Sequence, residues 1–464
     1  MKHDNRDAAK LKISDTSQRS VARRNLLILI LIFCTALGVR LLNWQAARHE
    51  AFAVQTKVAL NYKHLAALIR ANGVGSLYDA SSSTSDPDLL GHPPGYPILL
   101  SFIYRVAPDS DTATQLLQMV LDSLSVIVIV LIAFELFPVA VGVIAGFLSA
   151  LAPQFSWNSI LLLPDSLAAL PILLAILLIT KTLRRTSPAS ERSSMVSIFA
   201  AGALIGVSVW LRANSLLLGP FLALLFLVVR KRGARLRPAV VLLCGALLII
   251  APITIRNAIV YGKFIPVSLG AGQTLIEGIA DYNSDGSLGM PQTDMELIRA
   301  EAETAHRPEY ANSLFTPDGI ERDRARLARG FAVIRAHPIW FAGVMIRRAA
   351  SMLRLERTPL RLSTTNSGTW QPLVQWPLRA VQKIFITAIF LPLFLIGAGV
   401  LVYRRQFQSL ALLLIVPCYY FCTQSALHTE YRYVLVIHYF LFVLAAVAIY
   451  SIAQFVVKQT VSLR

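Results

Sequence analysis

Apolar residues fall along this chain in long, nearly unbroken runs rather than in the two-residue alternation of strands or the half-apolar stripe of soluble helices. A helix that crosses a bilayer needs roughly 20 consecutive, mainly apolar residues. Ten stretches meet or approach that length: 25–44, 113–137, 138–157, 164–181, 195–212, 214–230, 239–257, 381–403, 409–424 and 433–454. Pro153, Pro164 and Pro171 interrupt the third and fourth. Proline is tolerated in membrane helices where neighbours re-satisfy the freed backbone groups. Two long polar segments separate the runs, at about 45–112 and 258–380. The first contains a helix from Thr56 to Ala71, stopped by Asn72-Gly73. In the second, arginines alternate with Trp340, Phe341, Met345, Ile346 and Met352 between Arg322 and Arg361. That pattern predicts helices lying on a membrane surface, with arginine stems reaching along it and meeting lipid phosphates.

The pattern therefore predicts an all-α polytopic membrane protein with about ten transmembrane helices and two long extracytoplasmic segments bearing juxtamembrane helices. Its units are a basic cytoplasmic tail (1–24), an N-terminal transmembrane module (25–257, with its outer loop at 45–112), an outer segment (258–380), and C-terminal transmembrane helices with a short tail (381–464). Charge sets the orientation. Lys and Arg collect at the N-terminus, at 181–192, at 230–237, at Arg404-Arg405 and at the C-terminus. The short turns on the other side hold only Arg212 and Arg432. The positive-inside rule then places both termini in the cytoplasm.

Composition narrows the class. The chain is 55% hydrophobic and 15% charged, with 44 Lys plus Arg against 26 Asp plus Glu, a net +18. In a soluble protein such a balance points to nucleic acid. Here it points to anionic lipid headgroups and phosphate-bearing substrates, and no nucleic-acid partner is expected. Cys34, Cys244, Cys418 and Cys422 all lie in apolar runs, so no disulfide is expected. The first run lacks a small-residue cleavage site and reads as a retained helix.

Three segments carry a family resemblance: His92-Pro93-Pro94-Gly95-Tyr96-Pro97, Ala251-Pro252-Ile253-Thr254-Ile255-Arg256-Asn257 continuing to Ser268, and His428-Thr429-Glu430-Tyr431-Arg432-Tyr433. In order and loop placement they resemble the GT-C-type membrane glycosyltransferases, especially bacterial relatives of protein O-mannosyltransferases and of the lipid A aminoarabinose transferase. The resemblance implies a polyprenyl-phosphate-sugar donor and a protein, lipid or glycan acceptor. It also implies inversion at the anomeric carbon and a site on the outer face of a bacterial-type plasma membrane. Relatives carry an acid soon after the first helix, as base or metal ligand, and often a second at another outer loop. Here Arg48-His49-Glu50 follows the first helix, where relatives have Asp or Asp-Glu. Asp165 stands at the second position.

Glycosyl transfer needs a carboxylate to take the acceptor proton and cationic groups for the departing phosphate. The catalytic candidates are Glu50, Asp165 and His92. Each has a plainer reading: a solvated loop acid, a helix N-cap, or a residue that orients a turn. Arg432, Arg256 and Arg212 are the donor-phosphate candidates, because a planar guanidinium grips phosphate oxygens in pairs. Snorkelling anchors have the same sequence signature, and Arg40 near the end of the first helix reads as one of these. Asp86, Asp88, Tyr96, His428 and Glu430 are supporting candidates. The aspartates admit a possible divalent cation, although Asp86-Pro87-Asp88 is also an ordinary turn. Two other readings stay open: a transporter or flippase of a lipid-linked glycan using Asp122 and Glu135, and a catalytically degenerate family member.

Overall fold

A computed structural model describes residues 4–54, 56–184, 191–229, 236–356 and 371–462. Among them all regular structure is helical. In chain order the helices are α1 (Asp4–Ala53), α2 (Thr56–Asn72), α3 (Gly95–Val106), α4 (Asp111–Leu136), α5 (Val139–Leu151), α6 (Pro153–Asn158), α7 (Asp165–Arg184), α8 (Glu191–Leu211) and α9 (Leu218–Val229). There follow α10 (Leu236–Tyr261), α11 (Ala271–Ala280), α12 (Asp294–Ala305), α13 (Gly319–Ala336), α14 (Pro338–Met352), α15 (Gln371–Gln382), α16 (Thr387–Tyr403), α17 (Phe407–Thr423) and α18 (Leu435–Ser462). The helix expected at Thr56–Ala71 is α2, and Gly73 behind it takes φ +81°, the left-handed stop that glycine adopts without penalty.

Among the described residues, seven helical stretches are long and apolar enough to cross a membrane, and an eighth is counted if α15 and α16, bent by 59°, form one span. The expected spans at 138–157 and 214–230 appear as the shorter apolar helices Val139–Leu151 and Ala213–Phe226. At 1.5 Å per residue α5 reaches roughly 20 Å, short of a hydrocarbon core. It stops because Ala152 leaves the helical conformation (ψ 123°) and Pro153 starts a new helix, and residues 152–169 from there through the start of α7 are all buried. Polar contacts distinguish the two ends of the bundle. At one, Arg184 Nε donates to the Glu135 carbonyl (2.8 Å) and Lys181 lies 3.9 Å from the Glu135 carboxylate. At the other, Asn43 Nδ2 donates to the Ser156 carbonyl (3.1 Å), near Asp165. Helices α5 and α6 together carry the chain between those ends.

The core joins α1, α4, α5, α6, α7 and α18 through side chains such as Ile32, Ile129, Ala145, Phe155, Leu173, Phe440 and Phe442. The α8–α10 crossing is closer still. A Cβ on Gly245 would stand 2.2 Å from the Phe199 carbonyl, so the two backbones touch where glycine removes the side chain. Arg40 corrects an expectation. It is fully buried rather than an interfacial anchor, with Nε 2.7 Å from Asp122 Oδ2, and Tyr439 donates to the other Asp122 oxygen at 3.0 Å. The three groups tie α1, α4 and α18 together. Asp122, an acid the transport reading would need mobile, is thereby locked to a fixed cation.

The segment that follows α10 folds on a small core of Leu275, Ile276, Ile279, Leu297 and Phe341. Here too an expectation changes. Arg322 and Arg326 do not lie on a surface: both are buried and grip Glu301, at 2.7 and 2.6 Å. Arg348 is buried as well, donating to the carbonyls of Ser425 (2.7 Å) and Gly278. Arg357 and Arg361 lie outside the described residues. The four cysteines are unpaired.

Candidate active site

Asp165 opens α7, and the buried loop before it is suspended by α4. Gln115 Nε2 donates to the Ile160 carbonyl (2.7 Å) and Gln118 Nε2 to that of Leu161 (2.6 Å). Gln118 in turn accepts from the Tyr96 hydroxyl at 2.8 Å, so α3 and α4 hold that loop jointly. The Asp165 side chain is only 2% exposed, and its Oδ1 lies 3.1 Å from Arg212 Nη2. Burying a carboxylate this deeply is costly without such a partner.

Arg212 ends α8, and its guanidinium carbon sits 4.3 Å above the Tyr433 ring. Arg432 approaches the same ring at 5.0 Å and pairs with Glu430, Nε to Oε2 at 2.8 Å and Nη2 to Oε1 at 2.9 Å. Asn214 Nδ2 donates to the Tyr433 carbonyl (3.0 Å) and Tyr419 donates to the Asn214 carbonyl (2.7 Å). The turn after α8 and the turn before α18 are thus tied face to face. Asp165, Arg212, Asn214, Tyr420, Arg432 and Tyr433 line one narrow cavity. Within it Asp165 Oδ2 and Arg432 Nη1 have no hydrogen-bond partner. A carboxylate oxygen and a guanidinium nitrogen left unsatisfied in one cavity form a site matched to a ligand with a donor at one end and an anion at the other.

His92 and Tyr62 form the adjoining wall, with ring centroids 5.0 Å apart, and Tyr96 meets Tyr62 edge-on at 5.1 Å. Burial and the two guanidinium charges of Arg212 and Arg432 push the His92 imidazole down to about 3, so it is neutral at physiological pH. Burial pushes the Tyr62 hydroxyl up to about 12, leaving it protonated. Gly95 sets the distance between this wall and the arginine turn, since a Cβ there would stand 2.4 Å from the Trp210 carbonyl. The Pro-Pro-Gly sequence thus serves a close approach rather than a left-handed backbone.

The structure brings Asp165, Arg212, Arg432, Glu430 and His92 together, with Tyr96 one layer behind. It places the other candidates elsewhere. Glu50 lies in the last turn of α1, next to Ala51, which packs in the aromatic cluster of Tyr62, Trp157 and Tyr96, but Glu50 does not line the cavity. Arg256 is directed at the first outer loop: Nε donates to Leu77 O (2.8 Å) and Nη2 to Thr84 O (3.3 Å), and its guanidinium covers Tyr261 at 5.0 Å. Its donors are engaged in holding that loop, which corrects its place among the phosphate candidates. His428 Nδ1 meets Asp281 Oδ2 at 2.9 Å, anchoring the outer segment to the last turn. Asp86 is exposed, and Asp88 lies in the short turn Pro87–Gly91, its side chain outside the description. Sequence reasoning missed Tyr62, Asn214 and Tyr433. Asn214 left a trace, as a polar residue in an Arg-Ala-Asn-Ser break between apolar runs, and Tyr433 closed the third motif without being singled out for the site. A divalent cation does not fit this donor set. Among the described residues no three His, Cys, Asp or Glu side chains converge, and the cavity carboxylate already faces a guanidinium.

This arrangement sits in a GT-C-type membrane glycosyltransferase fold. Residues 91–255 match the family model of dolichyl-phosphate-mannose-protein mannosyltransferases, well under half of the chain but including His92, Asp165 and Arg212. Among solved structures, the oligosaccharyltransferase AglB of Archaeoglobus fulgidus, in complex with an inhibitory peptide and a dolichol-phosphate, is similar at 17% identity and a TM-score of 0.52, over 92% of this chain and 50% of that one. The apo form of the A. fulgidus enzyme aligns at 16% identity and 0.54, over 94% and 51%. The chain therefore spans about half the length of these proteins. ArnT from Cupriavidus metallidurans bound to undecaprenyl phosphate also aligns, at 16% identity but a TM-score of only 0.36, over 84% of this chain and 72% of that one. No curated protein sequence matches the chain.

Proposed function

We propose that the chain is a membrane glycosyltransferase that moves a sugar from a polyprenyl-phosphate-sugar to a hydroxyl of an extracytoplasmic protein, lipid or glycan, with inversion. The observation that carries this reading is the cavity itself: one buried carboxylate with a free oxygen, facing two guanidinium groups, one with a free nitrogen. The mannosyltransferase match over the segment bearing Asp165 and Arg212 supports it, as does the dolichol-phosphate named for the archaeal oligosaccharyltransferase.

In the proposed step the acceptor hydroxyl loses its proton to a carboxylate as its oxygen attacks the anomeric carbon. The bond from that carbon to the phosphate oxygen breaks, and its electron pair leaves with the lipid phosphate. Asp165, on the cavity, is the first assignment for the base, and Glu50 at the end of α1 is the second. Arg432 and Arg212 meet the negative charge that grows on the phosphate, and such preorganised charge costs no reorganisation at the moment of reaction. His92 stays neutral and positions a hydroxyl through its ring nitrogens. Glu430 holds Arg432 in place. Tyr96, through Gln118, steadies the Asp165 loop.

Mass spectrometry of membrane lipids and surface glycans, with and without the chain, tests the proposal. A polyprenyl-phosphate-sugar that accumulates on deletion, together with one glycan that loses a residue, supports it and names both substrates. Unchanged pools, with purified protein that transfers no sugar, overturn it.

A further inference from the structure

Arg379 on α15 is 8% exposed and faces only neutral groups: Nη2 donates to Asn43 Oδ1 (3.1 Å) and Nη1 to Gln382 Oε1 (3.0 Å). Among the described residues no carboxylate lies within ion-pair distance of it. The chain supplies none nearby in sequence either, since no Asp or Glu occurs between Glu356 and Glu430. Every other deeply buried arginine contrasts with this one or has its donors spent: Arg40, Arg212, Arg322, Arg326 and Arg432 each face a carboxylate. An uncompensated buried cation is strongly disfavoured unless an anion completes it.

The groups around Arg379 are also incomplete. Asn43 Nδ2 donates to the Ser156 carbonyl (3.1 Å) and Gln382 Nε2 to that of Leu151 (3.2 Å), so both side chains lie along the stretch 151–156. Between those two carbonyls stands Gln154, 3% exposed, with neither its amide nitrogen nor its amide oxygen bonded. Arg379, with no counter-ion, and the open amide nitrogen of Gln154, on the segment that Asn43 and Gln382 grip, are donors that lack an acceptor. Helix α15 meets the span α16 at 59°, and Trp376 on it is 69% exposed, as interfacial tryptophans are. The anions concentrated where an exposed tryptophan meets a bilayer boundary are lipid phosphates.

We infer that Arg379, Gln382, Asn43 and Gln154 form a binding site for a lipid-borne phosphate, separate from the Asp165–Arg212–Arg432 cavity. The site sits where α15 seals the bundle against the buried α6 segment. Its occupant brings the missing charge to Arg379 and the missing acceptor to the Gln154 amide. The inference does not need the transfer reading to hold. The phosphate comes either from bulk anionic phospholipid or from a polyprenyl phosphate, and the test separates the two.

The full chain is reconstituted in phosphatidylcholine nanodiscs containing phosphatidylglycerol or, in parallel, a polyprenyl monophosphate, and bound lipid is counted by native mass spectrometry. The wild type is expected to retain one more anionic lipid than Arg379→Gln, with affinity about tenfold weaker in the variant, as for loss of a charge-assisted contact. A difference seen only with phosphatidylglycerol assigns bulk lipid, and one seen only with polyprenyl phosphate assigns that lipid. Equal retention of both lipids by wild type and a folded Arg379→Gln overturns the inference. Should that variant not fold, Gln154→Leu decides. Removing an unbonded buried amide leaves lipid-free thermal stability unchanged or raised while weakening lipid retention. Unchanged retention in Gln154→Leu overturns the inference equally.

Discussion

At the scale of single residues, the site rests on charges that are buried only because they are paired. Removing one member strands the other in a low-dielectric place, which costs roughly 3–5 kcal/mol, while removing both costs far less. Arg212→Ala is therefore expected to lower thermal stability markedly, and Arg212→Ala with Asp165→Ala to recover much of the loss. Additive losses in a double-mutant cycle would show that the 3.1 Å contact carries no coupling. His92 gives a second expectation. Its folded-state value is lowered from 6.5 to about 3, so the unfolded chain binds a proton that the folded chain refuses. The contribution is fully present above about 6.5 and is lost as pH falls toward 3. Unfolding midpoints measured across that window should fall less steeply in His92→Asn than in the wild type. Parallel curves would mean that His92 titrates normally. The same depressed value predicts no His92 inflection in a rate profile between pH 5 and 8.

At the scale of elements, close backbone approach positions the chemistry. The α3 N-terminus sits against the end of α8 because Gly95 has no side chain, and the Arg212 turn follows directly. Gly95→Ala adds one methyl group 2.4 Å from a carbonyl oxygen that cannot rotate away, so α3 must shift. Overpacking of this kind costs about 1–3 kcal/mol. Its signature should be functional before it is global: transfer activity falls more than thermal stability, because His92, Tyr96 and the Asp165 loop move together relative to Arg212. An active Gly95→Ala with a lowered unfolding midpoint would instead make this contact purely structural. The outer segment is joined to the site turn by a different device, hydrogen bonds from Arg348 and His428 to backbone and Asp281. That junction keeps Arg432 within a fixed frame without lending the cavity a side chain.

At the scale of the whole molecule, hydropathy made the membrane class, the two long segments between apolar runs and helix α2 legible, because long apolar runs and an Asn-Gly stop are local signals. Asp165, Arg212 and Arg432 were legible because an ionisable residue at the end of an apolar run needs a partner. Arg40 and Arg256 were misjudged for the same physical reason, since a buried guanidinium and a snorkelling one have the same neighbours in sequence. Tyr62 was invisible, and Tyr433, although in a quoted motif, was not assigned to the site, because only tertiary packing brings their rings to the arginines. The number of crossings lay between these cases: α5 and α9 are short, and α15–α16 is broken. The bend leaves two topologies, a tilted entry into a true span or a re-entrant loop, and packing favours the first. Phe390 packs on Phe442 at 5.4 Å, and further along α16 a Cβ on Gly397 would stand 2.0 Å from the Leu444 carbonyl. Helix α16 thus runs beside α18 away from the cavity, whose wall includes Leu435 and Val436. In a variant with its native cysteines replaced, Glu303→Cys in the outer segment should react with an impermeant maleimide on intact cells. Gln406→Cys, just past α16, should react only after permeabilisation. Labelling of both on intact cells would make α15–α16 re-entrant and return Arg404 and Arg405 to the outer side, against the charge rule that oriented the chain.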